Sequence, residues 1–253
     1  MGWFSSFLYS QFFVTLPKPI KDFSGETIIV TGSNTGLGLE AARHLSSLNA
    51  ALIILAVRNQ TKGEAAKKSI LESTGRHGST IEVWDLDMQS YESIKAFCTK
   101  ANKLRRLDAV LENAGISTKH FKIAAGYEST VTTNVIGTFL LALGLLPKLK
   151  QSAAEFNVQP RLSIVASDVH FIAKFRERHS KDIFEALNDE KSELSMERSV
   201  STFARDVSHS DIIYFRYAVT KLIEVFGVRE IALLLGPQSL VVINVSNSGY
   251  LFM

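Results

Sequence analysis

Cysteine is almost absent: Cys98 is the single one in 253 residues. That excludes an intramolecular disulfide, and the chain gives no sign of an oxidising compartment. Cys98 falls in a helical pattern with Ile94, Phe97 and Ala101, so its thiol is expected in core packing rather than in catalysis. Metal-ligand spacing is lacking as well. His170, His179 and His209 do not follow any ligand pattern, so no metal is expected and these histidines are assigned to surface or loops. Excess charge is small, with 28 Lys and Arg against 25 Asp and Glu, a net of +3. The charges are interspersed and form no Arg/Lys cluster, which removes the electrostatic case for nucleic acid.

The N-terminus has neither the length of apolar chain for a transmembrane helix nor the basic start and small-residue cleavage site of a signal peptide. Instead residues 3–16 are aromatic-rich, with Trp3, Phe4, Phe7, Tyr9, Phe12 and Phe13 interrupted by Ser5, Ser6, Ser10 and Gln11. Two readings stay open: a segment touching a membrane interface, or one packed on the domain's own surface. Pro17 and Pro19 end it. Residues 1–22 are therefore set apart as an extension, and 23–253 are taken as one α/β domain placed in the cytoplasm, long enough to bury a full core.

Within that domain the most informative stretch is Thr31-Gly32-Ser33-Asn34-Thr35-Gly36-Leu37-Gly38. It follows the apolar run Thr27-Ile28-Ile29-Val30 and precedes the amphipathic pattern Leu37, Ala41, Leu45, Leu48, which predicts strand, glycine turn and helix start. Glycines permit tight turning and close approach of a ligand, and the free N–H groups and dipole of a new helix attract a pyrophosphate. A second apolar run, Ala51 to Val57, predicts a strand buried on both faces of a parallel sheet. It ends in Arg58-Asn59 with no acid before Glu64 and with Lys62 close by. An acid there binds the ribose 2′-hydroxyl and a cation accommodates the 2′-phosphate, so NADP(H) is expected.

Ile81 to Trp84 reads as the third strand and ends in Asp85-Leu86-Asp87. Asp87 either receives the adenine amino group or caps the helix beginning near Ser90. Asp108 to Leu111 is the fourth strand, followed by Glu112-Asn113-Ala114-Gly115, whose small residues leave room for a cofactor. Asn134 to Leu149, with Pro147 at its end, reads as a buried helix. Leu162 to Ala166 is the fifth strand and places Ser167 at its carboxyl end, either for chemistry or as a cap. No G-x-S-x-G surrounds it, which disfavours a hydrolase elbow. Residues 171–215 are charged and poorly periodic, suggesting a lid, insertion or partial disorder. A helical pattern resumes at Tyr217, and Ser239 to Val245 reads as the last strand.

Tyr217 and Lys221 are four apart and share a helix face. An ammonium beside a phenol moves its pKa from near 10 toward neutral pH, where it can exchange a proton. The same spacing at Tyr91 and Lys95 is assigned to a solvated helix turn. Taken in order, Thr31 to Gly38, Asn113-Ala114-Gly115, Ser167, and Tyr217 with Lys221 resemble the short-chain dehydrogenase/reductase family, most closely its retinol-dehydrogenase-like fungal members, many of them from secondary-metabolite pathways. The resemblance implies a Rossmann-like, doubly wound three-layer α/β/α fold and NADP(H)-dependent interconversion of a ketone or aldehyde with an alcohol on a small, apolar substrate.

It also implies roles. Tyr217 would be the general acid or base, Ser167 would bind the substrate oxygen, Lys221 would hold the nicotinamide ribose, and Asn134 would match the helix Asn that holds a relay water. Gly32, Ser33, Asn34, Gly36, Leu37 and Gly38 would line the phosphates. Arg58, with Lys62, would serve the 2′-phosphate, Asp87 the adenine, and Asn113, Ala114 and Gly115 the adenosine ribose side. The expected partners are the small substrate and, as an option, a second copy of the chain. Two departures from the family stand out: an insertion around 200–215 before Tyr217, and Asn247-Ser248-Gly249 followed by only four residues, short of the usual last strand and substrate lid. They keep a second reading open, a truncated NADP(H)-binding member without turnover.

Overall fold

The computed structural model describes residues 9, 13–14, 19–118, 120–189 and 209–247. Its elements are β1 (Thr27–Thr31), α1 (Gly36–Ser47), β2 (Leu52–Val57), α2 (Gln60–Thr74), β3 (Ile81–Asp85), α3 (Tyr91–Ala101) and β4 (Ala109–Glu112). A small hairpin follows, β5 (Ile123–Ala124) with β6 (Tyr127–Glu128), then α4 (Thr138–Phe156), β7 (Arg161–Ala166), α5 (Ile183–Leu187), α6 (His209–Leu235) and β8 (Val242–Asn247). The main sheet runs β3-β2-β1-β4-β7-β8, with every neighbouring pair parallel. From β1 the chain winds first to one side and later to the other, so a crevice opens at the carboxyl ends of β1 and β4.

Strand alternation splits the core into two layers. Ile28, Val30, Ile53, Leu55 and Ile81 pack with Ala42 of α1 and with Ala66 and Ile70 of α2. Ile29, Ile54, Val110, Leu162 and Ile164 pack with Ile94 and Phe97 of α3, Leu141 and Leu145 of α4, and Val228 of α6. Cys98 belongs to this second layer. Burial pushes its thiol up to about 11, and a Cβ added at Gly144 would lie 2.5 Å from its sulfur. As the sequence pattern predicted, it is packing, and so is the helical stretch Ser129–Phe156. That stretch is long and apolar enough to cross a membrane, but 67% of its most apolar window is buried in the protein.

Several boundaries differ from the sequence reading. The helix expected over Asn134 to Leu149 extends to Phe156, with Pro147 inside it. Proline removes a hydrogen bond to the carbonyl four residues back, which belongs to half-exposed Leu143, where water can replace it. Asn157, in the left-handed conformation at φ 51°, ends the helix instead. A π-helical stretch, Thr132–Gly137, precedes α4. The last strand is shifted to Val242–Asn247.

Of the charged segment 171–215, the part up to residue 189 folds into short helical turns and α5, which bring Phe175 and Leu187 against Val131 and Val219 of α6. Its last seven residues are the start of α6, which begins at His209 rather than Tyr217. The insertion around 200–215 and the N-terminal segment 3–16 lie largely outside the described residues; within the latter, Tyr9 and Phe13 stack at 5.6 Å.

Candidate active site

Where β1 runs out, Gly32 takes φ +63° and Gly36 φ +57°, both in the region that side chains with a Cβ disfavour. Ser33 turns inward and donates its hydroxyl to the Val30 carbonyl at 2.9 Å, so it shapes the turn and does not line the cavity. Asn113 and Ala114, at the end of β4, tie that strand to β1. The Asn113 Nδ2 donates to the Thr31 carbonyl at 3.0 Å, and the Ala114 N–H donates to Thr31 Oγ1 at 2.9 Å. A Cβ at Gly38 would stand 2.5 Å from Asn113 Nδ2 and 2.6 Å from the Gly32 carbonyl oxygen. Gly38→Ala is therefore expected to pry the turn from β4, costing about 1–3 kcal/mol in a denaturant melt. A variant as stable as the parent would contradict the close approach.

Thr35 precedes α1, whose first turn carries no acidic residue, so the positive helix end faces outward uncompensated. In front of it lies a cavity of about 320 Å³ lined by Gly32, Asn34, Arg58, Asp87, Asn113 and Gly115, among others. The structure thus brings together the turn, the β2-end cation and the β3-end acid. Asp87 makes a local turn by accepting the Gln89 N–H at 2.9 Å. The cap of α3 is Ser90, not Asp87, which removes the capping alternative for Asp87. Lys62 does not line this cavity: it is exposed on the first turn of α2, and its backbone N–H binds the capping Asn59.

A second cavity of about 270 Å³ is lined by Ser167, Tyr217, Lys221, Leu37, Asn113 and Gly115, among others. Asn113 and Gly115 border both cavities, so the two are ends of one groove. Leu37, expected at the phosphates, lines the Tyr217 end. Ser167 caps the turn Asp168–Ile172 by a long 3.5 Å contact with the Val169 N–H, and its carbonyl is held at 2.7 Å by His170 Nδ1. Ser167 therefore caps this turn and also lines the cavity beside Tyr217 and Lys221.

Asn134 sits in the π-helical stretch, fully buried. Its Oδ1 accepts the Ile116 N–H at 2.9 Å, while Nδ2 donates to the Ile116 carbonyl at 2.9 Å and to Thr220 Oγ1 at 3.1 Å. Both amide hydrogens and one lone pair of the oxygen thus fix the residue after Gly115 against α6.

Lys221 is held from below. Its ammonium donates to the Val165 carbonyl at 2.9 Å and to Glu224 Oε1 and Oε2 at 2.8 and 3.1 Å, and lies 5.6 Å from the Tyr217 ring centre. Burial pushes the Glu224 carboxyl up to about 7, against the attraction of Lys221. On β4, Glu112 is buried, and among the described residues neither of its carboxyl oxygens has a partner; burial, then the neighbouring Glu224, raises it well above the ordinary carboxylate range. The Tyr91–Lys95 pair differs from its reading as a solvated turn. The Tyr91 hydroxyl is buried with no partner among the described residues, and its pKa is raised by that burial, while Lys95 is exposed. No cluster of metal-ligating side chains occurs among the described residues.

Sequence reasoning missed Glu112, Glu224 and the buried pair Glu128–Arg216, whose closest ion-pair distance is 3.7 Å. The i, i+3 spacing of Lys221 and Glu224 was the one available signal.

A family model described as short chain dehydrogenase matches residues 26–156. The chain is 48% identical over 186 residues to a short chain dehydrogenase of Gibberella zeae, covering 74% of this chain and 54% of that protein. It is 44% identical over 227 residues to a short-chain dehydrogenase of Penicillium roqueforti, covering 90% and 54%. With one of Emericella nidulans it shares 42% over 233 residues, covering 91% and 68%. It spans 54% of the length of the first two relatives. Among solved structures, a protein of Mycobacterium paratuberculosis aligns with TM-score 0.63 at 27% identity over 88% of this chain and 67% of its own. A Shigella flexneri protein described as a short chain dehydrogenase complexed with NADP has TM-score 0.60 at 22% identity, covering 90% and 79%, and shares the fold. Together with the groove between the glycine turn and Tyr217, these likenesses establish that the chain belongs to the short-chain dehydrogenase/reductase family.

Proposed function

We propose that the chain binds NADP(H) along this groove and interconverts a small apolar ketone or aldehyde with its alcohol, in the manner of secondary-metabolite enzymes. One observation carries the reading: Ser167, Tyr217 and Lys221 line one end of a groove whose other end holds the glycine turn, Arg58 and Asp87. The donor set at that far end suits a dinucleotide, with the α1 N-terminus for the pyrophosphate, the Arg58 guanidinium for a 2′-phosphate and the Asp87 carboxylate for an amino group. When bound, the cofactor supplies or accepts the hydride.

The chain's own residues do the rest. Ser167 donates a hydrogen bond to the substrate oxygen as negative charge develops there. Tyr217 gives its phenolic proton to that oxygen in reduction and takes it back in oxidation. Lys221, anchored at Val165, favours the phenolate by its charge. Asn134 keeps Gly115–Ile116 and α6 in register.

The test is titration of the protein with NADPH, followed by nicotinamide fluorescence, and NADPH oxidation over a panel of apolar ketones and aldehydes. Binding with turnover on at least one of them is expected; binding without turnover on any would overturn the catalytic part. For the cofactor, Arg58→Ala is expected to weaken NADPH binding about tenfold, the scale of one charge-assisted contact to phosphate, and to leave NADH binding unchanged. Equal loss for both would remove Arg58 from the 2′-phosphate.

A further inference from the structure

We propose that Glu224 is a positioning residue for Lys221 and, by balancing its charge, sets the pH range over which Tyr217 exchanges its proton. The proposal rests on the catalytic reading above and adds a residue that this reading does not use.

The geometry begins with the ammonium itself. An ammonium has three N–H donors. At least two are committed below the cavity, one to the Val165 carbonyl and one or more to the two oxygens of Glu224. At most one donor is left for the groove, toward Tyr217 and Gly115. Lys221 is 4% exposed and Glu224 1%, so water competes little with either contact and the pair is held in one arrangement. The Val165 carbonyl lies two residues before Ser167 on β7, so the tether registers the ammonium against the strand end that carries Ser167.

Charge follows from position. Facing Glu224 are Lys221 on its own helix and Glu112 on β4, with Cys98 of α3 beyond Glu112. β8 and the π-helical stretch carry no titratable residue, and the single one on β7, Arg161, is exposed at the strand's opposite end. Asp168 and His170 lie on the turn after Ser167. One turn before Lys221, Arg216 is paired with Glu128. Above neutral pH Glu224 is the carboxylate nearest Lys221, and it offsets the field by which the ammonium favours the Tyr217 phenolate. Residues 217 and 224 are two helical turns apart, about 10 Å. At that separation and the effective dielectric of a buried site, one charge moves a phenol by about one pH unit.

The experiment uses Glu224→Gln, which keeps the shape and one acceptor oxygen and removes the charge. Tyrosinate absorbance is titrated in the cofactor-free protein, and the contribution of Tyr217 is isolated by subtracting the same titration in a Tyr217→Phe background. The midpoint of Tyr217 is expected about one pH unit lower in Glu224→Gln than in the parent. The alkaline limb of ketone reduction, which needs the protonated phenol, should move down with it. Glu224→Asp, which withdraws the carboxylate by one methylene, should give an intermediate shift and serves as the test if the Gln variant does not fold. Unmoved midpoints in folded variants overturn the proposal, because a role confined to stability would lower the melting temperature and leave the titration in place. A shifted midpoint in a protein without turnover on any substrate supports the positioning role and overturns the catalytic reading.

Discussion

Tyr217→Phe is expected to lower turnover of carbonyl reduction by about 10²–10⁴-fold, the range that a positioned proton donor contributes, while NADPH affinity stays within about twofold. Phenylalanine keeps the ring that packs beside Lys221 and removes the hydroxyl alone. The Lys221 ammonium remains tethered to Val165 and Glu224 in the variant, so the cofactor end of the groove is not disturbed. The expected signature is therefore a loss in kcat and kcat/KM together, since the removed interaction is made only as the proton moves. Steady-state rates and a fluorescence titration on the same preparation read the two quantities. Undiminished turnover would sink the mechanism, and loss of cofactor binding in step with turnover would make Tyr217 a packing residue.

The site was legible in the sequence to the extent that it is built from backbone geometry and local spacing. β1 and β2 are apolar on both faces, a pattern that only a covered parallel strand needs, and the glycines between β1 and α1 announce a turn in positive φ. Tyr217 and Lys221 share a face by helical periodicity alone. What escaped was set by tertiary contact. The start of α6 at His209 carries no clear apolar stripe, and its far end leaves Leu233 and Leu234 exposed, so periodicity could not mark where the helix begins. The π-helical stretch around Asn134 differs from an α-helix by less than one residue per turn, too little for a six-residue pattern to reveal. Lys62 was assigned by its closeness in sequence and Leu37 by the family resemblance; Lys62 stands exposed on α2 and Leu37 borders the Tyr217 cavity.

Charged residue types read as surface, and Glu112 breaks that rule with the largest consequence for stability. Together with Val110 it faces the layer packed by α3, α4 and α6, where no donor among the described residues meets either of its oxygens. Burial, and then Glu224, raises its pKa well above the ordinary 4.5. The sign follows from proton linkage: the folded chain binds this proton more tightly than the unfolded chain. The contribution is therefore fully present below about pH 4.5 and is lost as pH rises through the folded pKa. Glu224, raised to about 7, acts in the same direction over the window from 4.5 to about 7. Replacing Glu112 with Met, an apolar side chain of similar length, removes an unpartnered carboxyl from the core and with it that dependence. Glu112→Met is expected to be more stable than the parent, with an advantage that starts small near pH 4.5. Between pH 4.5 and the folded pKa of Glu112 it grows by about 1.4 kcal/mol per pH unit, or roughly 3–5 °C in melting temperature for a domain of this size. Melting curves of both proteins across pH 4 to 8 read the difference directly. A constant offset would mean that Glu112 does not hold its proton in the folded state, and a loss of stability at every pH would mean that the carboxyl has a partner that Met cannot replace.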